Sequence, residues 1–419
     1  ESFKDAQTFI PEIIWEIPKL RFIIIGSGIV GLSIADVLLK KKLFEPSKIL
    51  IIDKYSIPTK GTSLRNSGVL HAGLYYKSGS FKARLSVEGG KKLKSWCKSN
   101  NLETLECGKL LVPFNSEDIQ NLDKIKDNAK KNGCQIEIID YKEALKIQPG
   151  LVKQEKYLWS PKTGIFTPSL ILKSLYQSLK EKGVKFLKKS VKLDDSENNE
   201  LVLQDNTRLR YFKYINAAGA GSLNIAKSVT YKFNNLTILP FLGQYVTQNA
   251  GIEIKTNLYP VPDPELPFLG IHLTPRINNS TLIGPNAFPI FKKDIQGYDF
   301  YDIKNIPSII KNNITLFSSN KNNYRKHAIA EFSLNLQNKF YKNSVKFLSK
   351  QGSKDFKIKL DTSTYGIRAQ LFNIETHEFV NDFIYEKIND NIHIVNAVSP
   401  AFTSSFALAE LIINEMGLI

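Results

Sequence analysis

The run "FIIIGSGIVGLSIADVLLKKKLFEPSKILIIDKYS", Phe22–Ser56, sets three glycines between a short apolar stretch and a segment with helical spacing, then returns to a second apolar stretch ending in an acid. Phe22 to Ile25 has the β-branched composition of a buried parallel strand. Ile29 to Lys41 carries apolar residues at helical spacing, and Ile49 to Ile52 reads as a second strand. The turn between strand and helix, Gly26-Ser27-Gly28-Ile29-Val30-Gly31, is G-x-G-x-x-G in the context that gives this pattern meaning. Gly26 permits a tight turn. Gly28 lets a pyrophosphate approach the backbone, and Gly31 lets the helix lie close to the strand. The phosphates then rest on unpaired N–H groups of Ile29, Val30 and Gly31 at the helix N-terminus. Asp53 ends the second strand 22 residues beyond Gly31, where a carboxylate followed by Lys54 suits a ribose with free hydroxyls. An unphosphorylated ribose means FAD or NAD; a tight turn with no ligand is the plain alternative.

The next stretch, "GTSLRNSGVLHAGLYYKSGSFKARLSVEGGKKL", separates the two dinucleotides. A nicotinamide enzyme would continue with another strand and helix. Here a polar, glycine-punctuated loop follows, and Ser63, Asn66, Ser67 and Gly68 are suited to wrapping a phosphate and a ring system. His71 comes directly after them.

Bulk properties limit the remaining readings. The chain has 419 residues, is 42% hydrophobic and carries a formal net charge of +17. That suffices for a real core and exceeds one ordinary domain. The charge speaks to solubility and partners, with an anionic membrane face or a polyanion as the sharper reading. Its lysines are scattered, no compact basic tail occurs, and no sequence-specific nucleic-acid motif is present. Cys97, Cys107 and Cys134 form no C-x-x-C pair, which argues against a disulfide scaffold and a cysteine metal site. No apolar run approaches the roughly 18 residues of a bilayer span. Met416 is the only methionine and residue 1 is Glu, which points to a processed, organellar protein.

Along the chain, residues 1–19 read as a separate arm. Strand alternation recurs at 110–112, 201–203, 214–215, 281–283 and 392–395, and helical patterns fill 81–100, 116–132, 168–182 and 403–416. Residues 300–350 are rich in Lys and Asn and read as helices with loose connections. The layout is α/β, with a second region holding strands of its own.

The runs "RNSGVLHAGLYYKSGSFKARLSVEGG" and "CGKLLVP" resemble the L-2-hydroxyglutarate dehydrogenase/oxidase family, flavoenzymes of the D-amino-acid-oxidase-like superfamily. "SPKTGI", "LYPVPDPELPFLGIHLTPRI", "IGPNA", "YGIRAQL" and "NAVSPAFTSSFALAE" agree in the same order, from about residue 20 to 415. The resemblance implies FAD in a Rossmann-type domain of discontinuous segments, 20–107, 159–235 and 361–419. An antiparallel-sheet substrate domain would take 108–158 and 236–360. It places Val191 near the adenine end, Ala218 and Gly219 in an element closing over the cofactor, and Pro400, Thr403 and Ser404 at a helix start facing the flavin. The implied reaction is oxidation of an L-2-hydroxy dicarboxylate, L-2-hydroxyglutarate, to 2-oxoglutarate by hydride transfer to flavin N5. His71 is the candidate base and Arg368 the candidate carboxylate clamp, also near the flavin; His272 and Arg276 could line the same cavity. His377 and His393 have no supporting context. Electrons would pass to an acceptor such as a quinone, with a peripheral membrane contact and a mitochondrial location.

The match breaks at "PFLGQYV", Pro240–Val246. Leu242 stands where the family has arginine and Gln244 where it has an acid. Thr167 and Leu223 also replace acids. These changes fall in regions expected near substrate, while the FAD elements are kept. That pattern allows a second reading, an FAD-binding but catalytically drifted subunit of a large organellar complex, respiratory or ribonucleoprotein.

Overall fold

The protein's structure, a computed structural model, describes residues 21–418 apart from 56–57, 59–60, 249–250, 263–268, 291–293, 296–297, 300–305, 322–323, 335–336, 355 and 357–363. The expected arm at 1–19 lies outside the described residues.

Arg21–Ile25 runs parallel to Ile49–Asp53 on one side and to Arg208–Asn216 on the other. Lys185–Lys188 extends the sheet beyond Ile49–Asp53, and Asn391–Asn396 extends it beyond Arg208–Asn216. Five parallel strands are therefore drawn from widely separated parts of the chain. Helix Ile29–Lys40 crosses from the first strand to the second, as in a dinucleotide-binding unit. It is flanked by Pro168–Glu181 and the closing helix Ala401–Glu415, on which Phe81–Ser99 packs in turn, and one apolar core unites all four helices with one face of the sheet. Parallel strands are covered on both faces, so Phe22 to Ile25 and Ile49 to Ile52 are buried throughout, as their unbroken apolar composition requires.

The second sheet has ten strands in the order 378–379, 364–373, 236–248, 281–284, 272–275, 257–260, 109–112, 157–160 and 137–139, with 288–289 on a side branch. It is antiparallel except between Asn257–Pro260 and Lys109–Val112, which run parallel. Its spine is the pairing of Leu236–Gln248 with Thr364–Asn373, continuous from Leu236 opposite Asn373 to Tyr245 opposite Thr364. This strand, 364–373, falls within the segment 361–419 expected of the FAD-binding part, yet every strand it pairs with lies in the second sheet; 157–160 likewise crosses the expected boundary at 159. The Lys/Asn-rich region forms helices Ile306–Ser319, Tyr324–Leu334 and Gln337–Val345 on this side.

Candidate active site

A cavity of about 1750 Å³ runs from the glycine-rich turn to the second sheet. At its first end the glycines hold the positions their spacing predicts. Gly26 has φ +111°, and a Cβ there would lie 2.4 Å from the Ala217 carbonyl oxygen. A Cβ on Gly31 would fall 2.0 Å from the Gly26 carbonyl oxygen, so this glycine serves helix–strand approach and does not line the cavity. Gly28, Ile29 and Val30 do line it. Gly28 is the N-cap of helix Ile29–Lys40 and offers no capping side chain; the Ile29 N–H donates to Ser63 Oγ at 3.0 Å.

Asp53 is buried and faces the same end. One carboxylate oxygen accepts from the Ser27 N–H at 2.7 Å and from Ser27 Oγ at 2.9 Å; the other accepts from the Tyr55 N–H at 2.9 Å. Carboxylate oxygens have lone pairs beyond these bonds, so the group is oriented and still able to accept. Lys54, Ser63, Asn66, Ser67, Val191, Ala218, Gly219, Pro400 and Thr403 border the cavity as well. The Ile29 N–H, expected to be unpaired, is thus held by Ser63; a helix start whose own N-cap has no side chain, a close backbone turn and an oriented acid fit the diphosphate and sugar of a dinucleotide.

Two expected residues stand elsewhere. Gly68 has φ +70°, and its Cβ would meet the Phe166 carbonyl oxygen at 2.4 Å; it shapes the loop instead of lining the cavity. Ser404 is fully buried, and its Cα lies where a Cβ on Gly89 would intrude at 2.6 Å. It belongs to the contact between the two long helices, because one helical step beyond Thr403 turns a side chain about 100° away from the cavity.

The far end holds the candidate chemistry. His71, His272 and Arg368 come together there with Tyr75, Tyr76, Lys82, Tyr245 and Tyr259. Burial, with Lys109 nearby, holds the His71 imidazole well below its usual pKa. Burial likewise pushes His272 down to about 3. His272 Nδ1 lies 3.1 Å from the Gly270 carbonyl, which fixes Nδ1 as the protonated nitrogen and Nε2 as an acceptor. That Nε2 is buried with no hydrogen-bond partner among the described residues. Arg368, on the strand opposite Phe241, hydrogen-bonds Tyr245. Arg276 does not join them: it lies past the strand His272–Pro275, in a turn where its N–H donates to the Ser280 carbonyl. His393 has a structural setting. Its Nε2 is 3.0 Å from Tyr214 Oη, its Nδ1 is 3.1 Å from Asn216 Nδ2, and Tyr214 donates to the buried Asp194.

The four departures from the family pattern stand off this wall. Leu242 and Gln244 do not border the cavity, although their strand neighbours Gly243 and Tyr245, and Ile367 opposite Leu242, do. Thr167 is the N-cap of helix Pro168–Glu181. Leu223 is buried among Ala226, Phe233, Leu236, Leu371 and Val395, where a carboxylate would need a partner. The expectation that these changes surround the substrate is corrected by their positions, and with it goes the motive for reading the chain as a drifted subunit.

Residues 21–414 match the family described as FAD dependent oxidoreductase, DAO. The mitochondrial L-2-hydroxyglutarate dehydrogenase of Caenorhabditis briggsae is 33% identical over 428 residues, covering 96% of this chain and 94% of that protein. The human mitochondrial protein of the same name is 29% identical over 94% of this chain and 88% of its own length. The Escherichia coli K12 L-2-hydroxyglutarate dehydrogenase is 26% identical, over 94% and 92%. In fold, the chain is similar to an L-alpha-glycerophosphate oxidase from Mycoplasma pneumoniae with FAD bound, at TM-score 0.68 and 19% identity over 95% of this chain and 94% of that one. It is also similar to glycine oxidase from Geobacillus kaustophilus, at TM-score 0.69 and 13% identity over 95% of each chain. A sequence match over nearly the whole chain, on a glycine turn whose geometry admits no side chain at Gly26, makes this protein a member of the FAD-dependent oxidoreductase family.

Proposed function

We propose that the protein oxidises an L-2-hydroxy dicarboxylate, L-2-hydroxyglutarate, to 2-oxoglutarate. The observation that carries this reading is the meeting of Arg368 and two neutral imidazoles at the end of the cavity opposite the Gly26–Gly31 turn. Gly26, Gly28, Ile29, Val30, Asp53, Lys54, Ser63, Asn66, Ser67, Val191, Ala218, Gly219, Pro400 and Thr403 would hold FAD, with Gly31, Gly68 and Ser404 shaping its surroundings. Bound FAD supplies the two-electron acceptor. The chain's own groups supply the rest. Arg368 offers a planar pair of donors to a carboxylate. His71, kept unprotonated by burial, has a ring nitrogen ready for the hydroxyl proton. His272 Nε2 offers a second buried acceptor beside it. Tyr75, Tyr76 and Tyr259 line the cavity around these groups.

For the electron acceptor we infer a quinone reached at an anionic membrane face, and for the cell a mitochondrial location, in line with the names of the eukaryotic relatives. Support comes from helices Ile306–Ser319 and Tyr324–Leu334. Ile310, Ile314 and Phe317 recur on one exposed face of the first, and Ile329 and Phe332 are exposed on the second. Lys311, Arg325 and Lys326 are exposed on the same two helices, an arrangement suited to anionic lipid. No helix among the described residues is long and apolar enough to cross a membrane.

The test is anaerobic mixing of the FAD-loaded protein with L-2-hydroxyglutarate. Loss of flavin absorbance with matching formation of 2-oxoglutarate is expected. Bleaching by amino acids or glycerol phosphate instead would overturn the substrate. Flotation with cardiolipin vesicles but not with neutral ones tests the membrane face.

A further inference from the structure

Lys109 opens the strand Lys109–Val112, and its side chain is 0% exposed. Its Nζ stands 3.1 Å from Tyr75 Oη, 4.0 Å from the centre of the Tyr259 ring and 5.2 Å from that of Tyr75. Tyr75 and Tyr259 line the cavity, whereas Lys109 sits behind them. Among the described residues no carboxylate pairs with it. An amine buried without an acid is costly to keep, and two aromatic faces recover part of that cost. An ammonium can only donate, so its bond makes the Tyr75 oxygen an acceptor and leaves the phenolic hydrogen for a partner in the cavity. Tyr259 in turn stacks on His272, with ring centres 3.9 Å apart and planes 18° from parallel. Lysine, two tyrosines and histidine thus form one layered wall, in the same chamber as Arg368.

We propose that Lys109 is a positioning residue for the substrate's second carboxylate: through its bond to Tyr75 it presents that hydroxyl as a donor to the cavity, and its charge behind the tyrosine rings selects dicarboxylates over monocarboxylates. The inference rests on the hydroxy-acid reading above and names the origin of its dicarboxylate preference. Burial pushes the Lys109 amine down to about 7 and Lys82 down to about 8. Arg368 faces the layer as a fixed cation, and the remaining groups are neutral near pH 7: Tyr75, Tyr76 and Tyr259 are pushed up, Cys107 up to about 11, and His71 and His272 down, all chiefly by burial. A bound dianion favours the protonated amine. Binding above pH 7 therefore takes up a proton, and affinity falls as pH rises further.

The experiment titrates glutarate and butyrate, neither of which has a hydroxyl to oxidise, into the FAD-loaded wild type, Lys109→Met and Tyr75→Phe by calorimetry at about pH 7 and 9. The wild type is expected to prefer glutarate. Both variants are expected to lose about ten-fold or more in glutarate affinity and less than about two-fold for butyrate, a split that lost packing alone does not produce. The dependence of the glutarate heat on buffer ionisation, which reports proton uptake, should shrink in Lys109→Met. Equal losses for both ligands, an unchanged glutarate affinity, or a wild type with no glutarate preference would each overturn the inference. Should Lys109→Met fold poorly, Tyr75→Phe, which removes only a hydroxyl, carries the same comparison. Turnover of L-2-hydroxyglutarate by the wild type is scored separately, so the reaction and the role of Lys109 stand or fall apart.

Discussion

The His71 backbone N–H donates to Thr403 Oγ at 3.2 Å, and that hydroxyl donates to the Val69 carbonyl at 3.3 Å. One buried threonine on the closing helix thus fastens the loop that carries the candidate base, across 332 residues of chain. Thr403→Val keeps the shape and leaves a buried N–H and a carbonyl unpaired. A loss of about 1–3 kcal/mol in stability is expected, with a lower kcat from a base no longer held in place. Chemical denaturation and turnover at saturating substrate check the two effects.

Much of the nucleotide-binding half was legible because its signals are local. The helix expected over 29–41 is Ile29–Lys40, and that over 81–100 is Phe81–Ser99, since apolar period and glycine placement fix both ends. The layered wall was not legible. Lys109 meets Tyr259 only because 109–112 and 257–260 pair in parallel, with Leu111 opposite Tyr259, and register between strands so far apart leaves no mark in either. A lone lysine heading an apolar strand, "KLLV", was the one available signal. The positions of Leu242 and Gln244 were misjudged for a related reason. Alternation places them on one face, but only the fold shows which residues of the two strands border the cavity, and these two do not.

His71→Gln removes the candidate base without altering loop length. A fall in kcat of roughly 10²–10⁴-fold is expected, with flavin retained. The wild-type imidazole is held below its ordinary 6.5, so it is already unprotonated at neutrality. Loss of kcat on acidification should therefore begin only below that value. A kcat profile that breaks near pH 7 in the wild type and not in the variant would contradict the assignment.

The glycines separate by what surrounds them. Gly26→Ala meets the Ala217 carbonyl oxygen at 2.4 Å in a left-handed conformation. The backbone strain alone is about 1–3 kcal/mol, and loss of bound flavin is expected on purification. Gly219→Ala has φ +57° with no protein atom within 4 Å of the new Cβ, but the residue borders the cavity, so about 1–2 kcal/mol of strain and a smaller loss of bound flavin than in Gly26→Ala are expected. Absorbance of the two purified variants near the flavin bands makes the comparison.

Arg368 and Leu242 lie on neighbouring strands, and only the first borders the cavity. Arg368→Lys keeps the charge but loses the paired donors, and KM is expected to rise about 10–100-fold, or roughly 1.4–3 kcal/mol. Leu242→Ala should leave KM within about two-fold. Steady-state kinetics on L-2-hydroxyglutarate read both, and a large KM change at Leu242 would return that position to the substrate site.

Glu331 gives the protein a pH-dependent stability of its own. Its carboxylate is buried and accepts from the Ala287 N–H at 2.6 Å, and burial pushes its pKa up to about 7. The unfolded chain ionises this group near 4.5. Between those values the folded state holds more protons, so this contribution to stability falls as pH rises and is fully lost above the folded pKa. The penalty at pH 8 is on the order of 3 kcal/mol. Glu331→Gln can keep the bond from Ala287 and has no proton to lose. The variant should thus be more stable than the wild type at pH 8, with the difference shrinking toward pH 5.5. The buried histidines titrate in the opposite sense and are common to both proteins, so they cancel in the comparison. Urea midpoints at the two pH values decide it, and equal pH dependence in wild type and variant would show that Glu331 stays ionised in the folded protein.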